Sequence, residues 1–396
     1  MPKSKLFNTL AGVSLFLFAS GFSYWLFNQV DLGSITSRPS PATTSSPPPK
    51  KSKIDPSIPK TETCPLTGAL FTKLEQDVWV TRRPLGVMIE NSTDARPQSG
   101  LSTADIVYEA VAEGGITRFM AMFYCDASLS GNLTIAPVRS ARMHYVNLIS
   151  EYDGLYNHVG GAGNCDDPNV DPRAKALCAI DRFAIKDLDQ FGLDFKTCHR
   201  LTNRLDKEVA YEHTMACFLD EVFKVGGLRG WTNVDKKGVS WDKNFTPWKF
   251  KSADQAASGS PATTISYGFW TTNTDLNAHF NVSWSFDGVT NSYKRTNGGE
   301  PATDLNTGDP LAFKNVIVQF AKETALGDLE KHVLYDVIGT GRALVFLDGV
   351  AIDATWSKPT RTARTVFKDT KGKEIQFTPG QFWISILPTG NTVEYN

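Results

Sequence analysis

The sequence predicts an α+β fold, in which an N-terminal mixed α/β layer domain is followed by an all-β domain of sandwich or barrel type. Apolar runs of strand length alternate with helix patterns in the first part of the folded body, which is typical of packed layers of helix and sheet. Short alternating segments separated by turn residues fill the second part. Because the periodicity changes between residues 227 and 260, we place the two domains at residues 63–240 and 241–396.

The N-terminal domain shows clear signals for strands, a hairpin and a helix. The run LGVMIE at 85–90 has the length and apolar content of a buried strand. Residues 105–124 are predicted to form a hairpin that turns at a glycine pair, since glycine adopts positive φ without steric cost. Ser140 is a suitable N-cap for a helix over 141–152, which is followed by a short strand at 155–159.

The C-terminal domain is predicted to consist of hairpins. Alternating segments such as NVIVQFAKE at 315–323 and GRALVFLDGV at 341–350 have strand character. Pairs such as Asp348-Gly349 are turn formers between such segments. We interpret Arg361 and Arg364 as part of a solvated strand face.

The N-terminal segment differs from the rest of the chain. Residues 6–27 carry no charge and follow two lysines. At about 1.5 Å per residue such a helix spans about 33 Å, enough for a bilayer core. We expect residues 1–30 to be a single transmembrane anchor with a cytoplasmic N-terminus and extracytoplasmic folded domains; a cleaved signal peptide is the alternative. Residues 31–62 are rich in Pro, Ser and Thr and are expected to be a disordered linker.

Cysteine usage fits an extracytoplasmic body. An even number of cysteines in an exported protein indicates up to three disulfides, and the spacing leaves fifteen pairings open. Six reduced thiols are the alternative. No CxxC spacing of a zinc site occurs, and we predict no metal. The six are Cys64, Cys125, Cys165, Cys178, Cys198 and Cys217.

A cluster of arginines suggests an anion site. Arg139 and Arg142 flank Ser140 at the start of the predicted helix, where free N–H groups and the dipole favour an anion. Guanidinium groups bind phosphate or carboxylate through a two-pronged geometry. We therefore take Arg96, Arg118, Arg139, Ser140 and Arg142 as candidate anion-binding residues. The alternative is that nearby carboxylates neutralise these arginines in a structural network.

Acid or base chemistry has three candidates, Glu90, Glu113 and His158. A lone histidine near a strand end also has an ordinary structural interpretation. The glycine run at 160–163 lacks the strand–glycine–helix context of a dinucleotide site, so we predict no cofactor. The net charge of -1 gives no nucleic-acid signature, and we expect no nucleic-acid partner.

Several long motifs resemble those of the YerB-like bacterial envelope lipoprotein family. They include RPLGVMIENSTDARPQSG and IAPVRSARMHYVNLISEYDGLYNHVGG in the first domain, and NSYKRTNGG and GTGRALVFLDG in the second. The resemblance covers residues 82–396. It implies a two-domain protein of the bacterial cell envelope, from a family without an assigned biochemical activity. One departure is that the apolar segment at the N-terminus has no nearby cysteine for a lipid anchor.

Together these observations predict a membrane-anchored extracytoplasmic envelope protein that binds an anionic ligand or an envelope protein rather than catalysing a reaction. The alternative is a cell-wall polymer transferase or hydrolase that acts on a pyrophosphate-linked substrate. That alternative rests on an analogy with the LytR-CpsA-Psr envelope enzymes, which are similar in their N-terminal span and in using arginines. The sequence leaves open whether the protein is an enzyme.

Overall fold

The computed structural model describes residues 54–252, 255–270 and 278–396. The predicted membrane anchor at residues 6–27 and the linker as far as residue 53 lie outside these described residues. Within the described part of the chain, no helix has the length and apolar character needed to cross a membrane. The last residues of the predicted linker form a strand instead, since Lys60–Thr63 pairs with Leu70–Thr72.

The described residues are mostly strand, with a few short helices. The helices are α1 (Lys73–Trp79), α2 (Met143–Ile149), α3 (Ala176–Arg182) and α4 (Leu219–Leu228). The strands up to residue 218 are β1 (Lys60–Thr63), β2 (Leu70–Thr72), β3 (Leu85–Glu90), β4 (Ile106–Glu113), β5 (Ile116–Phe123), β6 (Thr134–Ile135), β7 (Leu155–His158), β8 (Lys186–Asp189), β9 (Cys198–Arg200) and β10 (Met215–Phe218). The later strands are β11 (Lys249–Phe250), β12 (Ser260–Pro261), β13 (Thr264–Tyr267), β14 (Val282–Asp287), β15 (Ser292–Asn297), β16 (Glu300–Pro301), β17 (Ala312–Phe313), β18 (Asn315–Ala321), β19 (Glu323–Ala325), β20 (Val333–Tyr335), β21 (Gly339–Leu347), β22 (Val350–Lys358), β23 (Val366–Asp369), β24 (Gln376–Phe377), β25 (Phe382–Pro388) and β26 (Val393–Tyr395).

One large sheet contains strands from both parts of the chain. Its order is β12-β22-β21-β18-β25-β4-β5-β3-β7-β8, with β23 added beside β22. Strand β25 pairs in parallel with β4, from Phe382 opposite Ile106 to Ser385 opposite Glu109. The pairings make β3, β4, β7, β8, β18 and β25 run in one direction, so their carboxyl ends share one edge.

Central strands of this sheet are apolar on both faces because other layers cover them. All six residues of β3 are buried, as the continuous run LGVMIE predicts. Helix α2 packs closely on this strand, and a Cβ on Gly86 would lie only 2.8 Å from Ile149 Cδ1. The predicted hairpin is β4–β5, and it turns at Gly114 and Gly115, whose φ angles are 55° and 89°.

The second sheet covers the C-terminal half of the large one. It has the order β16-β15-β14-β13-β26, with β17 beside β15. The ring of Trp284 on β14 meets Trp383 on β25 at 5.6 Å, and Phe313 on β17 meets the same Trp383 at 5.1 Å. Aromatic pairs of this geometry add to the energy of apolar burial.

The structure confirms a predominantly β protein with helices, but it does not confirm a separate C-terminal sandwich or barrel. Strands β18, β21, β22 and β25 of the C-terminal part continue the sheet of the N-terminal part. The described residues, from Ile54 onward, belong to one compact unit. Strand periodicity identifies a strand but not the sheet it joins, which explains why the sequence separated the two parts.

The predicted start of the helix near Ser140 is wrong. Helix α2 begins at Met143, its N-cap is Arg142, and no side chain caps it. The stretch before it is held extended, because the amide of Arg139 donates to Met88 and that of Ala141 donates to Gly160. Because of these backbone hydrogen bonds, the helix begins two residues later than predicted.

Three disulfides form, all in the first part of the body, as the cysteine count predicts. Cys64–Cys125 ties the segment after β1 to the end of β5. Cys198–Cys217 joins the neighbouring strands β9 and β10. Cys165–Cys178 closes a short loop in front of α3. Disulfides stabilise mainly by restricting the unfolded chain.

We predict that the two halves unfold together. A soluble chain of residues 54–396 with intact disulfides should show one calorimetric transition, because separating the halves would open the β4–β25 pairing. A fragment of residues 63–240 should fail to fold, since the edge of β4 would be unpaired. Two resolved transitions, or a folded fragment by circular dichroism, would contradict this expectation.

Candidate functional site

The carboxyl-end edge of the large sheet gathers most of the charged candidates. Strands β3, β4 and β7 end there at Glu90, Glu113 and His158, and Arg118 stands at the start of the antiparallel β5. The loop before α2, which contains the arginine and serine candidates, crosses the same edge through a bridge between Ile89 and Val138. Ligands of open α/β sheets commonly bind at such an edge.

Glu113 is the centre of a buried ion-pair network. One of its carboxylate oxygens lies 2.6 Å from Nη2 of Arg118, and the other lies 2.6 Å from Nη2 of Arg142. Burial opposes ionisation of Glu113, but the two guanidinium groups outweigh it and hold its pKa at about 2. Burial lowers the pKa of Arg142 to about 10. Both arginines are therefore already ion-paired with one carboxylate of the protein.

Glu90 also forms contacts with ionisable side chains of the protein, His213 and Arg139. Its carboxylate lies 2.8 Å from Nδ1 of His213 and 3.4 Å from Nε of Arg139. Arg139 also donates to the carbonyl of Glu212 at 3.0 Å. Arg118, Arg139 and Arg142 are therefore paired with carboxylates of the protein itself. This is the arrangement given above as the alternative to an anion site.

His158 and Ser140 also serve the local fold. His158 is fully buried, with Nε2 2.9 Å from a carboxylate oxygen of Asp187 and Nδ1 2.8 Å from the carbonyl of Gly160. Ser140 contributes its carbonyl, which accepts a hydrogen bond from Arg118 at 3.1 Å. These contacts fix the loops at the edge.

Arg96 differs from the other candidate arginines. It donates to neutral oxygens only, at 3.1 and 3.0 Å to Asn91 and at 3.0 Å to the carbonyl of His279. In the described residues no carboxylate forms an ion pair with it. Burial lowers its pKa to about 10. It lines a cavity of about 340 Å³, whose other lining includes Thr93, Pro97, Gln98, Asn297 and Glu300.

The arginine that supports this loop, Arg204, has no distinguishing sequence pattern. Arg204 donates to the carbonyls of Pro97 and Ala95, both at 2.6 Å, and so fixes the segment that carries Arg96. Arg204 lies in a polar loop without periodicity, which offered no signal. The only group of potential metal ligands in the described ranges is Cys64, Asp105 and Cys125, and its two sulfurs form a disulfide rather than thiolates.

The interpretation of Arg361 and Arg364 as a solvated face is wrong for Arg364, which is buried and donates to Glu151 at 2.8 Å. Arg295 on β15 is buried too. Arg295 lies two residues from both Tyr293 and Asn297 on β15, so the three side chains point to the same face of the strand. The two-residue period of the strand could therefore have placed Arg295 on the buried face.

We predict that Glu113→Gln destabilises the protein by on the order of 3 kcal/mol at pH 7, because the depressed pKa represents stability of about that size. This contribution is present above the unfolded pKa of about 4.3 and disappears as the pH falls through about 2. Urea unfolding at pH 7, 5 and 3 should show the gap to wild type narrowing to roughly half at pH 3. The exposed Glu330→Gln is the matched control and should be neutral at each pH; a pH-independent gap for Glu113→Gln would contradict the argument.

These features define a class: a two-part β-rich protein whose halves share one sheet and whose charged edge is internally paired. Two family models match the chain, the N-terminal domain of a protein of unknown function (DUF3048) at residues 66–186 and its C-terminal domain at 272–384. A relative from Bacillus subtilis (strain 168), named "Putative lipoprotein YerB", is 32% identical over 325 residues, which cover 82% of this chain and 86% of the relative. The chain belongs to this DUF3048, or YerB-like, family.

The fold agrees with a solved structure of that family. The crystal structure of the YerB protein from Bacillus subtilis matches with a TM-score of 0.66 and 28% sequence identity. The match covers 84% of this chain and all of the other. The resemblance inferred from the motifs is thereby confirmed.

Proposed function

We propose that this protein is an extracytoplasmic envelope protein that binds an anionic ligand or an envelope partner and does not catalyse a reaction. The relative's name describes a lipoprotein, which supports an envelope location. Three disulfides fit an oxidising compartment outside the cytoplasm. The membrane anchor at residues 6–27, with a cytoplasmic N-terminus, is part of this proposal.

The observation that carries the binding proposal is the state of Arg96. Arg96 is half-buried and its hydrogen-bond partners are neutral, whereas a guanidinium prefers a carboxylate or phosphate oxygen. The adjoining cavity of about 340 Å³ can hold a small organic ligand. The lining also contains the exposed carboxylate of Glu300, so we expect the anion at Arg96 to carry a single charge, as a carboxylate does.

The residues suggested for acid or base chemistry do not favour catalysis. A general acid or base works best with a pKa near the operating pH, whereas that of Glu113 is about 2. Glu90 is engaged by His213 and Arg139. In the described residues no contact favours the transferase or hydrolase alternative, so binding is the function that we propose.

We predict that Arg96→Gln weakens binding of N-acetylmuramic acid at least tenfold, because the substitution removes the cation that faces the carboxylate. Isothermal titration of residues 54–396 measures the affinity, and N-acetylglucosamine, which lacks the carboxylate, should bind much more weakly to wild type. Arg96→Lys keeps the positive charge but loses the planar guanidinium, which can donate two hydrogen bonds to one carboxylate. Its loss of affinity should therefore be intermediate.

The matched control is Arg173→Gln, because Arg173 is an exposed arginine paired with Asp171 and lies outside the cavity. It should leave binding unchanged. Equal affinities of wild type and Arg96→Gln, with both proteins folded by thermal melting, would overturn the assignment of Arg96. Absence of saturable binding to wild type would overturn the carboxylate ligand.

A further inference from the structure

The cavity beside Arg96 has walls from both halves of the chain. The loop at 93–98 forms one side, and His279 together with the hairpin at 297–303 forms the other. Besides the imidazole of His279, the ionisable side chains of this lining are the guanidinium of Arg96 and the carboxylate of Glu300. Glu300 is exposed, and among the described residues no cation lies within ion-pair distance of it. The cavity therefore offers one positive and one negative group to a ligand.

Arg96 keeps unused donors. A guanidinium carries five N–H groups, one on Nε and two on each terminal nitrogen. Nε and Nη2 of Arg96 each donate one to Asn91, at 3.1 and 3.0 Å, and Nη1 donates one to the carbonyl of His279 at 3.0 Å. One N–H on each terminal nitrogen is left, so the guanidinium can still donate to a carboxylate.

The amide of Asn91 determines how the polar side chains around the cavity are oriented. Asn91 is fully buried, and its Nδ2 lies 2.7 Å from Oγ1 of Thr117. Thr117 uses its hydroxyl proton for the carboxylate of Glu109, at 3.0 Å, so the hydroxyl oxygen accepts from Asn91. This network identifies the nitrogen of the Asn91 amide, and its oxygen is therefore the atom that contacts Arg96.

Both amide side chains of the lining direct a nitrogen towards this oxygen of Asn91. Nε2 of Gln98 lies 3.1 Å from it, and Nδ2 of Asn297 lies 2.9 Å from it. Nε2 of Gln98 also donates to the carbonyl of Glu90 at 3.0 Å, so only its Oε1 remains for a ligand. Asn297 is buried, and in the described residues its Oδ1 has no hydrogen-bond partner. Because buried polar atoms nearly always have a partner, this oxygen is suited to accept from a donor of the ligand.

We propose that the ligand of this cavity is a zwitterion, in which a carboxylate binds Arg96 and an ammonium group binds on the Glu300 side. The inference rests on the proposed function, because it takes the contact between Arg96 and a carboxylate as given. An ammonium group donates and does not accept, so it matches both the carboxylate of Glu300 and the acceptor oxygens of Asn297 and Gln98. A purely anionic ligand would instead meet Glu300 with like charge. A peptide with free ends and an amino-sugar acid both have this chemistry.

The test compares ligands that differ at the amine. Isothermal titration of residues 54–396 is carried out at about pH 6, below the ordinary pKa of an amine, with muramic acid and with N-acetylmuramic acid. Acetylation removes the positive charge and keeps the carboxylate, so wild type should bind muramic acid at least tenfold more tightly. Alanylalanine and N-acetyl-alanylalanine form the same comparison for a peptide. A preference for the amine in only one pair identifies the source of the ligand, an amino sugar or a peptide.

Substitution of Glu300 shows whether its carboxylate recognises the amine. Glu300→Gln should reduce the affinity for the amine form by about threefold, a size typical of an exposed charge pair, and should leave the acetylated form unchanged. Arg96→Gln should weaken binding of both forms, since both carry the carboxylate. The matched control is Glu394→Gln, because Glu394 is an exposed carboxylate of the same sheet and lies outside this cavity. It should bind all ligands like wild type.

Two results would overturn the inference. One is equal affinity of wild type for the amine and acetylated forms of both pairs. The other is an amine preference of the same size in wild type and in Glu300→Gln, with both proteins folded by thermal melting, because the selectivity would then arise from the size of the acetyl group. Binding of N-acetylmuramic acid that depends on Arg96 but shows no amine preference would uphold the proposed function and refute this inference alone. Absence of saturable binding of all four ligands would refute both.

Discussion

A buried ion pair between Glu109 and Arg295 joins the two halves of the molecule. Glu109 on β4 and Arg295 on β15 are both fully buried, and Nη2 of the arginine lies 2.9 Å from the carboxylate. Trp383 on β25 donates its indole N–H to the same carboxylate at 3.0 Å and presents its ring to the guanidinium at 4.2 Å. Breaking such a pair by removing one partner typically costs about 3–5 kcal/mol, because it leaves an uncompensated buried charge.

This pair constrains how the halves are arranged. Burial raises the pKa of Glu109, and the arginine, Thr117 and Trp383 oppose that rise by stabilising the charged form. The carboxylate, its counter-ion and its indole donor come from three strands that lie far apart in the chain. Separating the halves would therefore leave the carboxylate and the guanidinium without their partners.

Buried arginines pair with carboxylates of the protein at several places in this fold. A cluster of arginines in the sequence is therefore a weak indicator of a ligand site. The pairs of Glu113 with Arg118 and Arg142, and of Glu151 with Lys358 and Arg364, bury cations without any external anion. The informative arginines are those left with neutral partners. Arg96 meets this condition and lines a cavity.

Local features of the fold could be predicted from the sequence, but long-range features could not. The strand at Leu85–Glu90 and the glycine hairpin followed from composition and spacing alone. The parallel pairing of β25 with β4 joins segments that no periodicity connects. The helix near Ser140 was misplaced because the preceding residues bond to Met88 and Gly160, which are tertiary partners. The sequence identified the charged residues at the edge, but whether each was paired depended on distances that only the fold defines.

The position of β25 in the sheet has a consequence for biogenesis. This strand lies between β18 and β4, yet it comes later in the chain than every other strand of the sheet and is therefore synthesised after them. Until then β4 has an open edge, the kind of surface that recruits other chains into aggregates. A chain that ends before residue 382 lacks β25 and therefore cannot join β18 to β4.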